Sequence, residues 1–200
     1  LGDINGDGSA DICGRGPGGL SCALSTGVGF ATPTLWTVNG TFSDAEGWAI
    51  GSAYYGSIRL ADVNGDGLAD ACGRKSNGIV CAISTGSSFG SSTEWLGTEF
   101  TDAQGWSTPE YGTTIQFGDL NSDGRADVCG RGFAGVACAL SAGSAFAAAT
   151  SWTPINGVFS NADAWALHSS RYRSLSLADI DGDHRADLCG RNATGLVCAL

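Results

Sequence analysis

Nearly all the chemistry this chain could perform sits in four nine-residue stretches. Asp3, Asn5, Asp7 and Asp11 recur as Asp62, Asn64, Asp66 and Asp70, and again as Asp119, Asn121, Asp123 and Asp127. The fourth set is Asp179, Asp181, Asp183 and Asp187. Oxygen-bearing side chains thus hold positions 1, 3, 5 and 9 of each stretch, with an apolar residue at position 2. A tight turn of this spacing points alternate carboxylates inward, and Ca2+ accepts about six to eight such oxygens. We expect about one Ca2+ per repeat, four in the chain.

The set is not an EF-hand. Its twelfth position, where that motif needs a bidentate Glu, holds Gly14, Gly73, Gly130 and Gly190. In the fourth loop His184 replaces the turn glycine and Asp181 replaces asparagine. His tolerates positive φ better than most residues, and the extra carboxylate offers compensation. Two roles are open to the loops: a calcium-dependent ligand site, or an internal staple tying the strand before to the strand after. Four side-chain oxygens plus backbone carbonyls nearly complete a coordination shell, which favours the staple.

Charge follows from the loops. The chain has 20 acidic residues against 10 basic ones, and most of the acids are loop aspartates. Four divalent cations would reduce the formal charge of -10 to -2, so metal explains the acidity better than a basic partner does. No Lys/Arg stripe could neutralise phosphates, which disfavours nucleic acid. No apolar run approaches the ~20 residues of a membrane span. Catalysis finds little support: His168 and His184 neither repeat nor sit beside a plausible nucleophile, and we expect no enzyme.

The elements that must hold these loops also recur, since motif starts at 3, 62, 119 and 179 define a repeat. Each has a short apolar lead into the loop, then Ala-Asp-x-Cys-Gly-Arg, a turn, and a second apolar run such as 78–84. Gly-x-x-Phe, a tryptophan segment (Trp36, Trp95, Trp152) and a stretch closing on a second tryptophan (Trp48, Trp106, Trp165) complete the unit. Short apolar runs between Gly, Ser, Asn and Asp read as strands, and no window shows a capped helical stripe. About four strands per unit make an all-β chain of propeller blades. We divide it as 1–56 (partial blade), 57–114, 115–174 and 175–200 (partial blade).

The cysteines fall into four pairs of one spacing: Cys13 with Cys22, Cys72 with Cys81, Cys129 with Cys138, and Cys189 with Cys198. Folding the first pair about Pro17-Gly18 sets 15 opposite 20 and 13 opposite 22, a non-hydrogen-bonded pair within disulfide reach. Four cross-strand disulfides are expected, and with them an oxidising, extracellular setting. Zinc would want Cys-x-x-Cys or histidine partners, which are missing. Asn39 and Asn192 begin Asn-x-Thr triplets that could accept N-glycosylation.

The loops at this period resemble the FG-GAP/VCBS repeats of calcium-bearing β-propellers. A nearer likeness is the seven-bladed mushroom lectin of the Psathyrella velutina type, through Ala45-Glu46-Gly47-Trp48, Ala61-Asp62, Gly65-Asp66, Asp70, Gly73, Gly78 and Phe89. The likeness covers nearly the whole chain and implies a calcium-bearing propeller with carbohydrate pockets between blades. The lectin's Gly-Phe-Gly is here Gly-Arg, at Arg15, Arg74, Arg131 and Arg191, the paired cysteines are extra, and its His-x-Arg is out of place.

Trp48, Trp106 and Trp165 could be sugar-stacking platforms or packing between blades, with packing favoured. Tyr54, Tyr55, Tyr111 and Tyr172, on the long connection to the next loop, are better candidates for ligand contact. The recurrent arginines could grip an acidic sugar or pair with carboxylates of the Asp11 type. The chain opens and stops in nearly the same phase of the repeat, which reads as an excerpt of a longer array. Otherwise the repeats continue from chain to chain in a filament by strand addition. The expected function is a secreted, calcium-stabilised binding or adhesion module, with glycans or extracellular glycoproteins as partners. The alternatives are a structural stalk or filament segment and an accessory domain of a secreted hydrolase.

Overall fold

The computed structural model describes residues 1–155 and 157–200. The strands form four antiparallel sheets in which sequence neighbours are spatial neighbours. The first contains β1 (Ile12–Gly16), β2 (Gly19–Ala23) and β3 (Thr34–Leu35). The second contains β4 (Arg59–Ala61), β5 (Asp70–Lys75), β6 (Gly78–Ala82) and β7 (Thr93–Leu96). β8 (Gln116–Gly118), β9 (Asp127–Arg131), β10 (Val136–Ala139) and β11 (Thr150–Ser151) make the third, and β12 (Ser176–Ala178), β13 (Asp187–Arg191) and β14 (Leu196–Ala199) the fourth. The architecture is all-β and blade-like: the second, third and fourth acidic loops join β4 to β5, β8 to β9 and β12 to β13, and the first loop leads into β1.

The hairpins take the register that the cysteine spacing requires. Arg15 faces Leu20 and Cys13 faces Cys22 in the first sheet. Cys72 faces Cys81 across β5 and β6, Cys129 faces Cys138 across β9 and β10, and Cys189 faces Cys198 across β13 and β14. All four disulfides are formed. The Cα atoms are 4.0 Å apart in the bond of Cys13 to Cys22, and 4.1 Å apart in those of Cys72 to Cys81, Cys129 to Cys138, and Cys189 to Cys198. Cys81 and Cys138 are buried beneath their sheets, whereas Cys198 is only half-buried. Each bond closes a short loop, so each removes roughly 2–3 kcal/mol of unfolded-state entropy.

Helix is present where none was expected. Single turns α1 (Ser52–Tyr55), α2 (Pro109–Gly112) and α3 (Ser169–Tyr172) each immediately precede an inner strand. One turn is too short to display a 3.6-residue period, which is why pattern reading passes over it. Pro109, fixed near helical φ, suits the first position of α2.

Packing between sheets is aromatic. Trp36 meets Phe89 of the next sheet with ring centroids 5.8 Å apart, and Trp95 meets Phe146 at 5.4 Å. The Phe89 and Phe146 amides donate to the Trp36 and Trp95 carbonyls at 2.7 and 2.9 Å, closing the seam with backbone. The closing tryptophans are the correction to the stacking-platform reading. Trp48 and Trp165 are fully buried, and Trp106 nearly so, each beside its own Phe42, Phe159 or Phe100. Their indoles press against the glycine of Cys-Gly-Arg in the following sheet. A Cβ on Gly73, Gly130 or Gly190 would come within 2.8, 2.7 and 2.7 Å of a ring carbon.

That contact makes a test. Gly130→Ala should lose about 1–3 kcal/mol in denaturant unfolding, because neither Trp106 nor Ile115 has room to retreat. An unchanged unfolding midpoint would show the seam to be looser than described.

Candidate functional site

Each acidic loop is a turn wound around its own first aspartate. Asp3 Oδ1 accepts the Gly6 amide at 2.7 Å and Oδ2 accepts the Gly8 amide at 2.8 Å. Asn5 Oδ1 accepts from Asp7 N, and Asp7 Oδ1 from Ser9 N. The pattern repeats around Asp62 and recurs in part around Asp119 and Asp179. The turn needs left-handed backbone at two positions: Gly6 and Gly8 supply it in the first loop, whereas Ser122 and His184 adopt φ of 62° and 68° in the later ones. His184 therefore takes the glycine conformation that its place in the repeat required.

The ninth residue behaves differently from the other three. Asp11, Asp70, Asp127 and Asp187 are buried. Asp70 Oδ2 accepts the Val63 amide at 3.1 Å and Oδ1 accepts the Ser84 amide at 2.8 Å. Asp11 does the same with Ile4 and Ser25, and Asp127 with Leu120 and Ser141. One carboxylate so joins its loop to the end of the third strand. Burial, with Asp66 and Asp62 facing it, pushes Asp70 up to about 7 despite those amides, and burial likewise raises Asp127.

The donor set is all oxygen and strongly anionic. In the fourth loop, one carboxylate oxygen each from Asp179, Asp181 and Asp187 lies within 4.8 Å of the others. Like charges this close disfavour one another, and a hard cation among them reverses the sign. The residues fit Ca2+ by chemistry and offer no soft or imidazole donor set for zinc. All eight cysteines, Cys81, Cys138 and Cys198 among them, are held in disulfides and supply no thiolate.

The loops are also the joints between sheets. Ala69 N donates to Asp3 O at 2.7 Å, Ala126 N to Asp62 O at 2.7 Å, and Ala186 N to Asp119 O at 2.6 Å. The Ser84 and Ser141 hydroxyls add bonds to the Ile4 and Val63 carbonyls of the preceding loops. Sequence pattern gives no sign of these contacts, since most of them use backbone.

Three of the recurrent arginines are committed to bracing, and none of the four pairs with an Asp11-type residue among the described residues. Arg15 and Arg74 pair with Asp44 and Asp102, both at 2.7 Å, and Arg131 bonds the Asn161 side chain. Each also bonds the carbonyl of Phe42, Phe100 or Phe159, aromatic residues held at φ of 62°, 59° and 69°. Such φ values are unusual for bulky side chains. The arginine fixes that turn, and the turn aims the closing tryptophan into the seam. Arg191 is exposed, and among the described residues its side chain bonds only the Ser170 hydroxyl.

Two of the tyrosines belong to this bracing. The Arg74 guanidinium lies 4.7 Å from the Tyr54 ring centroid, and Tyr54 Oη donates to Asp102 at 2.5 Å. Burial opposes the Asp102 charge, but bonds from Tyr54 and Arg74 outweigh it and hold the carboxyl below its usual range. Tyr111 sits likewise under Arg131 and accepts from Asn161 at 2.7 Å. Burial draws Arg131 down to about 10. Tyr172 is half-buried, and Tyr55, 47% exposed, is the tyrosine free to meet a ligand. Asn39 is exposed, while the Asn192 side-chain Oδ1 accepts the Thr194 and Gly195 amides and caps its own turn.

A cleft of about 370 Å3 opens at the seam between the second and third sheets. Trp106 forms part of its floor, Glu99 and Gln104 supply polar groups, and Phe133 and Ile155 stand on it 68% and 71% exposed. Gln104 Nε2 donates to Glu99 Oε2 at 3.0 Å, setting both polar heads. Phe133 has no counterpart in the other repeats, where Pro17, Ser76 and Ala193 take its place, so a search for repeated residues misses it.

Residues 3–73 match the FG-GAP-like repeat family. No curated protein matches the chain. Among solved structures, the chain is similar to a lectin from Agrocybe aegerita described for its specific recognition of non-reducing terminal N-acetylglucosamine. Identity is 28% and TM-score 0.78, covering 100% of this chain and 48% of that one. It is also similar to the Photorhabdus luminescens Tc holotoxin pore, at 17% identity and TM-score 0.64, over 99% of this chain and 8% of that one. The second likeness is one of fold. The chain spans about half the length of the lectin, shares its β-propeller architecture, and carries FG-GAP-like sequence in its first repeat.

The ninth aspartates yield a direct test. Asp70→Ala leaves the Val63 and Ser84 amides without acceptors and should cost about 2–4 kcal/mol in urea unfolding under chelator. Asp66→Ala, on the exposed rim, should lose less than about 1 kcal/mol under the same conditions. Equal losses would contradict the division of roles.

Proposed function

We propose that this chain is a secreted, calcium-braced and non-catalytic propeller segment that binds glycans where adjacent sheets meet. The observation that carries the reading is the likeness, over the full chain, to a lectin that recognises terminal N-acetylglucosamine. The seam cleft supports it. Its volume falls in the range of small-ligand sites, roughly 300–1,000 Å3. Phe133 offers an apolar face to sugar C–H groups, and the Glu99 carboxylate, positioned by Gln104, offers an acceptor for a hydroxyl or acetamido N–H.

Calcium enters this reading as a brace. When bound it would neutralise the loop carboxylates, with Asp3, Asn5, Asp7 and Asp11 and their counterparts as the holding residues. The chain's own loops then keep consecutive sheets in register. Secretion is supported by the four disulfides, which persist in oxidising compartments. Among the described residues no helix is long and apolar enough to cross a membrane. Extracellular glycoproteins are the natural source of such glycans.

Calorimetric titration in calcium should show N-acetylglucosamine binding, with glucose at least tenfold weaker and Phe133→Ala losing about tenfold. No heat with N-acetylglucosamine, together with an empty glycan array, would remove the lectin reading. Chelation should lower the thermal midpoint by several degrees, and added Ca2+ should restore it. A midpoint indifferent to chelation would remove the brace.

A further inference from the structure

We infer that the residues after Cys-Gly-Arg decide which seam can take a ligand: Lys75 plugs the seam between the first and second sheets, and Gly132 leaves the next one open. The inference rests on the seam-cleft reading and deepens it, by naming what confines recognition to one seam. The two seams are built alike. Ala45-Glu46-Gly47-Trp48 closes the first and Ala103-Gln104-Gly105-Trp106 the second, and each indole lies against the glycine of the following Cys-Gly-Arg. They differ in the two residues that come next, which are Lys75-Ser76 in the second sheet and Gly132-Phe133 in the third.

Lys75 is the sole lysine of the chain and ends β5. Its Nζ lies 5.8 Å from the Trp48 ring centroid and 3.7 Å from Glu46 Oε2, so the side chain spans the seam. A lysine stem covers apolar surface while its head stays near water, and an ammonium is attracted to an indole face. Trp48 is fully buried, whereas Trp106 remains 8% exposed at the cleft. Gly132 can cover nothing. A Cβ there would stand 3.3 Å from Trp106 Cζ2, so any side chain at this place would lie over the ring. The remaining repeats have Gly16 and Asn192 at the position, and neither is a cation.

Stability does not account for the plug. An ion pair this long, between side chains 30% and 32% exposed, contributes little. It also has a local cost. At the seam between the third and fourth sheets, Asp163 stands in the place of Glu46 and accepts the Trp165 indole N–H at 3.0 Å. Among the described residues the Trp48 indole N–H has no such acceptor, since Glu46 faces Lys75 instead. A buried donor left unpaired is unfavourable, so Lys75 holds Glu46 at the expense of that bond. Ser76 completes the difference, because it offers no apolar face where Phe133 offers one.

Hydroxyl-radical footprinting with peptide mass spectrometry, on the full chain in calcium, reads the exposure of each tryptophan without any sugar. Lys75→Gly should raise labelling of Trp48 about threefold, toward that of Trp106, while Lys75→Arg should leave it low. Calorimetric titration with N-acetylglucosamine reads the consequence. Lys75→Gly combined with Ser76→Phe should add a second site per chain, and Gly132→Lys should weaken binding about tenfold. Trp48 labelling that ignores Lys75→Gly overturns the plug. Normal binding by Gly132→Lys, or a stoichiometry unchanged in the double variant, overturns the selection of seams. A wild-type chain that binds no N-acetylglucosamine overturns the seam-cleft reading, and the footprint still decides whether Lys75 covers Trp48.

Discussion

The rest of the structure depends on a buried carboxylate that recurs in every repeat. Asp70, held in the interior, accepts one amide from its own loop and one from the end of the third strand. Without it the loop has no fixed relation to the sheet. With it, the loop backbone becomes a platform on which the next repeat builds, through Ala126 N to Asp62 O and the Ser141 hydroxyl to Val63 O. A buried carboxylate surrounded by further aspartates is costly unless amides and a cation share its charge. The loop's acidity and its structural role are therefore one constraint.

That constraint sorts the surface into regions with different chemistry. The acidic loops occupy the far ends of the inner strands and are engaged in holding sheets together. The seams are closed by tryptophans packed on glycine, which leaves the turns between the paired cysteines free to vary. Phe133 exploits that freedom at the seam between the second and third sheets. The helix ends gather arginine away from the aspartates. On the proposed reading, recognition falls on positions that differ between repeats, and bracing on positions that recur.

Much of this is legible in the sequence, and the illegible part has a common cause. The cysteine register follows from hairpin geometry, because a two-residue turn leaves little choice of pairing, and Cys81, Cys138 and Cys198 face their partners as Cys22 faces Cys13. The loops are legible because side chains define them, and His184 falls where its position in the repeat demands positive φ. Contacts made through backbone carbonyls are not. Nothing in the residue order shows that Arg74 bonds the Phe100 carbonyl, or that Phe100 adopts a left-handed conformation to offer it. Sequence reading consequently pairs the arginines with the wrong carboxylates. The tryptophans are ambiguous for a different reason: stacking on a sugar and packing on a glycine both call for a large aromatic ring. Only the distance from the indole to Gly73, Gly130 or Gly190 separates the two. The site at Phe133 is hidden because repeat analysis looks for what recurs.

The central claim is that loops brace and clefts bind. A crystal structure of the chain grown with Ca2+ and N-acetylglucosamine, with anomalous scattering used to locate calcium, tests it most directly. The account predicts cations among Asp3, Asn5, Asp7 and Asp11 and their counterparts, ligated by protein and water, and a sugar at the seam against Phe133 and Glu99. A sugar hydroxyl coordinated to a loop cation, with the seam cleft empty, would contradict it.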